Sequence, residues 1–233
     1  MIELYTWTTG NGRKIVMMLE EVGVPYEVHP VNIRRGDQFR PEFLQISPNN
    51  KVPAIVDRDG PGGRPLAVFE SAACLMYLAE KTGLLLPADI TGRYAAMQWL
   101  ILSVAGLGPV IGQAHYFHGP GKDGNERAAE RFTDETRRVF NVLEKRLGEA
   151  PWLGGDDYSI ADISTYGRAA GWKAAGLNID DTPRVKDWLA RIEARPASGR
   201  AAKVIDDIRA KYDVPLDDAA KELLYGKAQY ARR

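Results

Sequence analysis

Three short stretches gather residue types able to hold a small zwitterionic or peptide-like molecule. In "NNKVPAIVD", Pro53 stands among the strand-like Val52, Ala54, Ile55 and Val56, where it has no N–H to give to a sheet ladder. A prolyl bond adopts the cis form at a cost of only about 0.5–1 kcal/mol. A cis Val52–Pro53 bond would leave the Val52 N–H and C=O facing outward, free to pair with an extended ligand as an added strand does. A trans proline at a loop–strand junction accounts for the same residues. In "FESAA", Ser71 is placed to cap a helix, and its hydroxyl with the free N–H groups of the first turn suits a carboxylate. Glu70 beside it can accept from an ammonium group, although simple capping is the plainer account. In "TTGNG", Thr8, Thr9 and Asn11 offer donors at a helix N-terminus whose dipole would stabilise a thiolate brought there. Turn formation alone also explains these residues. Two glycines around one asparagine do not make the G-x-G-x-x-G dinucleotide fingerprint.

These stretches must be positioned by the elements around them, and those elements change character along the chain. Residues 1–86 alternate. Ile2 to Tyr5 reads as a strand, 12–23 as a helix with Ile15, Val16, Met18, Leu19 and Val22 on its apolar face, and 26–33 as a second strand. Gly23 and Pro25 stop that helix. After the short segment "PEFLQI", the stretch around Pro53 and "LAVF" (66–69) form a hairpin across the turn "RDGPGGRP". Residues 70–83 are a further helix closed by Gly83. The order β-α-β then β-β-α describes a small α/β sheet domain.

From residue 89 onward the periodicity is helical, with no convincing strand. Residues 93–117 read as one helix interrupted by "GLGP", where Pro109 is expected to kink it. Residues 125–149 carry Phe132, Val139, Leu143 and Leu147 on one stripe. Ser159 and Asp162 fit a capping box, with Tyr158 and Ile163 as its hydrophobic staple. A helix over 184–197 follows, and then one or two helices broken near Pro215.

The chain has 233 residues, 45% of them hydrophobic, ample for a buried core. Its formal charge is zero, so no global field draws nucleic acid or an anionic membrane. The single cysteine, Cys74, excludes an intrachain disulfide framework and fits a reducing compartment. The N-terminus has no signal-peptide pattern, and no apolar run approaches the roughly 20 residues that cross a bilayer. The expectation is a soluble cytoplasmic protein with no nucleic-acid or membrane partner. His29 and His118 lack neighbours at metal-ligand spacing, so no metal is expected.

Taken together, "NNKVPAIVD", "FESAACLMYLAEK" and "PWLGGDDYSIADI" resemble the cytosolic glutathione transferases over nearly the whole chain, to about residue 200. More narrowly, "GNGRKI", "QFRPEFLQISPNNKVPAIVD" and "GLGPVIGQAHYF" are similar to the bacterial nu class, relatives of the globular domain of the fungal nitrogen-regulating prion protein. The resemblance implies an α/β thioredoxin-like N-terminal domain (1–86) that binds glutathione. An all-α C-terminal domain (87–233) follows, carrying the second-substrate site and a C-terminal extension.

The resemblance further implies a cis bond at Pro53 and a set of site residues. Thr9 and Asn11 face the glutathione sulfur. Gln38 and Lys51 meet the glycyl end, and Val52 pairs with the cysteinyl backbone. Glu70 and Ser71 take the γ-glutamyl zwitterion. Arg131 reaches glutathione from the helical domain, across a dimer interface, and His115 and Tyr116 border the second-substrate pocket.

Glutathione is then the co-substrate that brings the nucleophile. The protein's task is to lower the thiol pKa from its ordinary value near 8.5. The thiolate has two targets: sulfur, in disulfide reduction, or an electrophilic carbon, in conjugation. The nu-class resemblance implies disulfide-bond reductase activity with one oxidised or two reduced glutathiones bound. A conventional transferase for an electrophilic or aromatic ether substrate, or a non-catalytic regulatory protein on the same fold, is the alternative. Family members are usually two-fold dimers with the site near the subunit interface, and the resemblance implies the same for this chain. Tyr5 and Cys74 are assigned to the core, since Cys74 occupies an apolar position within a helix.

Overall fold

The computed structural model describes residues 1–231. They fall into two compact units, Met1–Tyr77 together with the chain from Arg200 onward, and Leu78–Gly199. The last two residues of the helical span 87–233 lie outside the described residues.

The first unit is built on a four-stranded sheet of order β2-β1-β3-β4. Strand β1 (Ile2–Thr6) pairs in parallel with β2 (Tyr26–Pro30), Leu4 opposite Val28, and antiparallel with β3 (Ala54–Asp57), Leu4 opposite Ile55. Strand β4 (Leu66–Phe69) closes the hairpin on β3. The parallel pair needs a crossover, and helix α1 (Gly10–Val22) supplies it. Its apolar run from Ile15 to Leu19 is buried with Ile2, Leu4 and Ile55. Gly23 ends α1 in the left-handed region, φ 68°, and its N–H returns to the Leu19 carbonyl. The single turn α2 (Pro41–Ile46) and helix α3 (Ser71–Thr82) complete the sheet's partners.

Two details in this unit differ from the sequence expectation. The strand expected over 26–33 ends at Pro30, because the chain turns at Asn32, whose N–H and side-chain oxygen are used by Asp37 and Arg34. Ser71 is not the cap of α3 but its first residue: Glu70 holds the cap position, its carbonyl accepting from the Cys74 N–H.

The second unit is helical. Helix α4 (Ile90–Ile101) runs into a π-helical turn, Leu102–Leu107, and on into α5 (Gly108–His118). Pro109 has no N–H for a helical bond, and the strain is absorbed upstream: the Gly108 N–H reaches back five residues to the Ser103 carbonyl, the wide turn of a π-bulge. Because the helix does not break at "GLGP", Ile90–His118 is continuous and, by length and composition alone, long and apolar enough to cross a membrane. This corrects the expectation that no apolar run reaches that length. Its inner residues Ala96, Leu100, Leu107, Ile111 and Ala114 are core, in a unit shared with α6 (Glu126–Leu147), α7 (Ile160–Ala169) and α8 (Pro183–Glu193).

The stripe of α6 buries Ala129, Thr136, Val139, Phe140 and Leu143, whereas Phe132 and Leu147 are half-buried. The Thr136 hydroxyl donates to the Phe132 carbonyl, which is how a polar side chain is accommodated there. Helix α7 opens on the expected capping box. Ser159 Oγ accepts from the Ala161 N–H, and buried Asp162 accepts from the N–H groups of Ser159 and Leu153 and from Trp188 Nε1.

The chain leaves through α9 (Pro196–Tyr212), breaks around Pro215, and continues as α10 (Asp218–Tyr225) and a 3-10 turn, Lys227–Tyr230. The break matches the expected one.

Candidate functional site

The turn between β1 and α1 is shaped by packing. Thr9 caps α1, its Oγ1 accepting from the Gly12 N–H at 3.0 Å, so its own hydroxyl proton is not consumed by the cap. Gly12 lies against the β1–α1 turn so closely that a Cβ there would collide with the Trp7 carbonyl and the Thr6 hydroxyl. Asn11, between them, is half-buried and lines a cleft.

The opposite wall is the loop into β3. The Val52–Pro53 bond is cis, as the resemblance implied. Ser47, fully buried, donates from Oγ to the Lys51 carbonyl at 2.9 Å and ties the loop into a closed turn ahead of Val52. The third wall is the start of α3. Glu70 adopts φ 69°, a left-handed backbone that costs a non-glycine residue about 1–3 kcal/mol. Asn49 Nδ2 donates to its carboxylate at 3.3 Å. The result is a cleft of about 220 Å³ lined by Asn11, Ser47, Asn49, Lys51, Val52, Pro53, Glu70 and Ser71.

Six residues singled out from sequence thus converge: Asn11, Lys51, Val52, Pro53, Glu70 and Ser71. The lining includes a cation, Lys51, a carboxylate at a helix N-terminus, Glu70, and a side-chain amide, Asn11. Such a set of groups is complementary in charge to a small molecule that carries a carboxylate and a zwitterionic amino-acid group. Lys51 is exposed as a residue, yet partial desolvation of its ammonium pulls its pKa below the ordinary lysine value.

The remaining residues fall elsewhere. Thr9 is half-buried at the cap of the helix that carries Asn11 and is not among the residues that line the cleft. Gln38 is buried, donating Nε2 to the Ile33 carbonyl at 3.1 Å, with its amide oxygen buried and unpartnered; it braces the loop and does not line the cleft. In the helical unit, Arg131 stands exposed on α6 in a shallow recess with Arg127, Glu130, Asp134, Glu135 and Arg138. His115 Nε2 is hydrogen-bonded to the Gly171 carbonyl at 2.8 Å, and burial lowers its pKa. Tyr116 packs edge-on to Phe117, ring centroids 5.0 Å apart. The larger recess on that face is bordered by their neighbours Phe117 and His118 with Lys122, Glu126, Glu130 and Thr133.

Sequence reasoning missed Ser47 and Asn49. Both sit in "SPNNK", a cluster of turn-forming residues, and the signal was the density of small hydrogen-bonding side chains just before the proline.

The assignments of Cys74 and Tyr5 are specific. Cys74 is fully buried, its Sγ donating to the Val68 carbonyl, and burial pushes its thiol up to about 12. Tyr5 packs against the cluster of Val31, Phe43 and Ala54 and stacks on His29 with ring centroids 4.8 Å apart. Its hydroxyl donates to Glu3, and burial raises its pKa. Among the described residues no His, Cys, Asp and Glu side chains cluster in a way that could hold a metal ion.

Residues 11–81 match the family Glutathione S-transferase, N-terminal domain, and residues 108–196 match Glutathione S-transferase, C-terminal domain. The chain is 49% identical over 202 residues to the disulfide-bond oxidoreductase YfcG of Escherichia coli (strain K12), covering 86% of this chain and 94% of that one. A solved glutathione transferase family member from Pseudomonas fluorescens pf-5, with two glutathione bound, is similar at TM-score 0.82 and 44% identity, over 86% of this chain and 91% of that one. A glutathione transferase from Pseudomonas putida, with one glutathione disulfide bound per subunit, is similar at TM-score 0.84 and 41% identity, over 87% and 91%.

Proposed function

Because this chain belongs to the glutathione transferase family, we propose that it is a glutathione-dependent disulfide-bond reductase of the nu-class type. The observation that carries this reading is the cleft itself. Groups suited to both ends of a tripeptide converge there around Asn11, and the chain's own thiol is sealed in the core. The nucleophile must therefore come with the ligand.

In this reading residues 1–86 bind glutathione and residues 87–233 supply the second-substrate side. The glycyl carboxylate sits on Lys51, with Gln38 bracing that end. Val52 pairs through its backbone with the cysteinyl unit, Pro53 shapes that edge, and the γ-glutamyl zwitterion takes Glu70 and Ser71. The sulfur rests between the Asn11 amide and the Thr9 hydroxyl at the positive end of α1. Donors and dipole there favour the thiolate. Arg131 adds a further contact to glutathione, and His115 and Tyr116 border the second-substrate pocket.

The thiolate attacks one sulfur of a small disulfide, forming a mixed disulfide and expelling the other half as a thiolate that takes up a proton. A second glutathione thiolate attacks the glutathionyl sulfur, releasing the remaining thiol and glutathione disulfide. Two glutathiones are consumed per disulfide reduced, so no protein cysteine is needed. The relatives crystallised with two glutathione, or with one glutathione disulfide per subunit, support this stoichiometry. A cytoplasmic location and a two-fold dimer belong to the same reading.

Turnover with glutathione of hydroxyethyl disulfide against a chlorinated nitrobenzene tests it. Faster reduction of the disulfide is expected. Faster conjugation of the aromatic makes the chain a conventional transferase, and no turnover of either makes it a binding protein.

A further inference from the structure

The C-terminal segment does not trail away from the sheet unit but follows it in one direction. Asn32 Nδ2 donates to the Tyr212 carbonyl at 2.7 Å, and Arg34 Nη1 donates to Asp213 Oδ1 at 2.8 Å and to the Val214 carbonyl. Leu223 of α10 lies over Gly36, where an added Cβ would stand 3.5 Å from its Cδ2. The 3-10 turn after α10 is folded back by Glu222, whose carboxylate accepts from the Ala228 N–H at 3.1 Å. This path ends at the cleft. With its amide oriented so that both ends bond, Gln229 donates to the Leu223 carbonyl at 3.2 Å and accepts from Lys51 Nζ. Lys51 has no carboxylate partner among the described residues, and Gln229 is half-buried.

We propose that Gln229 is a specificity-determining residue: its neutral carboxamide occupies the ammonium of Lys51 in the free protein and yields that place only to a ligand ending in a carboxylate. The inference rests on the reading that Lys51 receives the glycyl carboxylate. An amide oxygen makes a charge–dipole bond to the ammonium, whereas a carboxylate makes a charge-assisted ion pair and displaces it. A ligand with a neutral end exchanges one amide for another and gains nothing from displacement. The segment from Tyr212 to Tyr230 thus ties selection for an anionic terminus to release of the last turn of the described chain.

The test uses the full chain and two ligands, reduced glutathione and its glycine-carboxamide derivative, with Kd measured by titration calorimetry. Gln229→Ala removes the competitor and is expected to tighten glutathione about three- to tenfold. Gln229→Glu installs an internal carboxylate and is expected to weaken glutathione tenfold or more, with relief at high salt. The carboxamide ligand finds the ammonium unoccupied only in Gln229→Ala and is expected to tighten there no more than glutathione does, whereas in Gln229→Glu it shifts less than twofold while glutathione weakens. In the ligand-free protein, acylation of Lys51 by acetic anhydride, followed by peptide mass spectrometry, is expected to quicken severalfold in Gln229→Ala. Glutathione binding that is indifferent to both substitutions overturns the proposal alone, as does an unchanged Lys51 acylation rate. Absence of glutathione binding by the wild type overturns both this inference and the reading of the cleft.

Discussion

Asn11 is the residue on which chemistry and stability separate most cleanly. It lines the cleft and its side chain makes no hydrogen bond to the described protein atoms, so it is free to donate to a ligand. Removal of one preorganised donor to a developing anion costs on the order of 10²–10³ in kcat. Asn11→Ala is therefore expected to lower hydroxyethyl disulfide turnover about a hundredfold while moving the urea midpoint little. The ultraviolet titration of bound glutathione shifts to a higher thiol pKa in that variant. Thr9→Ala is a poorer probe, because the same hydroxyl caps α1 and its loss also costs about 1 kcal/mol of stability.

Cys74 makes the converse case. With its thiol pushed up to about 12, it carries no appreciable thiolate at pH 8. Native protein is expected to resist iodoacetamide, and Cys74→Ala to retain full reductase activity; loss of activity in that variant would contradict a chemistry carried by glutathione alone.

His115 gives a pH dependence whose sign follows from burial. Its folded pKa lies below the ordinary imidazole value, so between the two values the unfolded chain binds the proton and the native state does not. Its contribution is fully present above the unfolded pKa and is lost as pH falls toward the folded one. His115→Gln should show a shallower fall in urea midpoint between pH 7.5 and pH 5.5 than the wild type.

At the scale of elements, two positions fix how the cleft and the helical core are held. A Cβ at Gly12 meets backbone, the Trp7 carbonyl, and backbone cannot rotate away. Gly12→Ala is expected to destabilise the protein by about 1–3 kcal/mol and to shift Asn11. Differential scanning calorimetry and glutathione affinity should fall together. The capping box of α7 behaves differently. Asp162 accepts from four donors on three residues, Leu153, Ser159 and Trp188, and its removal leaves buried N–H groups unpaired. Asp162→Ala is expected to cost at least about 3 kcal/mol. The folded remainder should keep the wild-type kcat, because no part of the box lines the cleft.

These two positions also show what the sequence made legible. The capping box is a local pattern of four residues with its own signature, and it stands where the pattern placed it. The hairpin, the helix stops at Gly23 and Gly83, and the break near Pro215 were legible for the same reason: each is written in residues that touch one another along the chain. The cap of α3 was displaced by one residue because Glu70 adopts a left-handed backbone, which propensity disfavours and only the surrounding turn imposes. The π-turn was hidden because Pro109 signals a lost bond but not where the helix absorbs it. Gln38, expected at the ligand, and Ser47, not singled out from sequence, take their places for a tertiary reason. One is drawn inside to hold the Ile33 carbonyl, the other inside to close the loop onto Lys51.

On the scale of the molecule, the long helical stretch Ile90–His118 poses a question its own unit does not answer. It is apolar enough to pass for a membrane span, yet only 28% of its most apolar stretch is buried. Ile90, Tyr94 and Ile101 are 69%, 61% and 49% exposed. Spaced by four and seven residues, they share one face of α4. An aligned row of large apolar side chains left in water marks a surface that awaits a partner. A second copy of the same chain, related by a two-fold axis, would cover it with its own equivalent row. This row supports the proposed dimer and gives it a test independent of glutathione. Tyr94→Glu combined with Ile101→Glu places charge on that face while leaving the inner positions Ala96 and Leu100 untouched. Sedimentation velocity is expected to move the wild type at twice the monomer mass and the double variant at the monomer mass of 25.8 kDa, with unchanged helical content by circular dichroism. If the double variant still sediments as a dimer, the two-fold contact does not use this face. If the wild type is itself a monomer, Arg131 has no neighbouring subunit to serve, and its proposed contact with glutathione must be made within one chain.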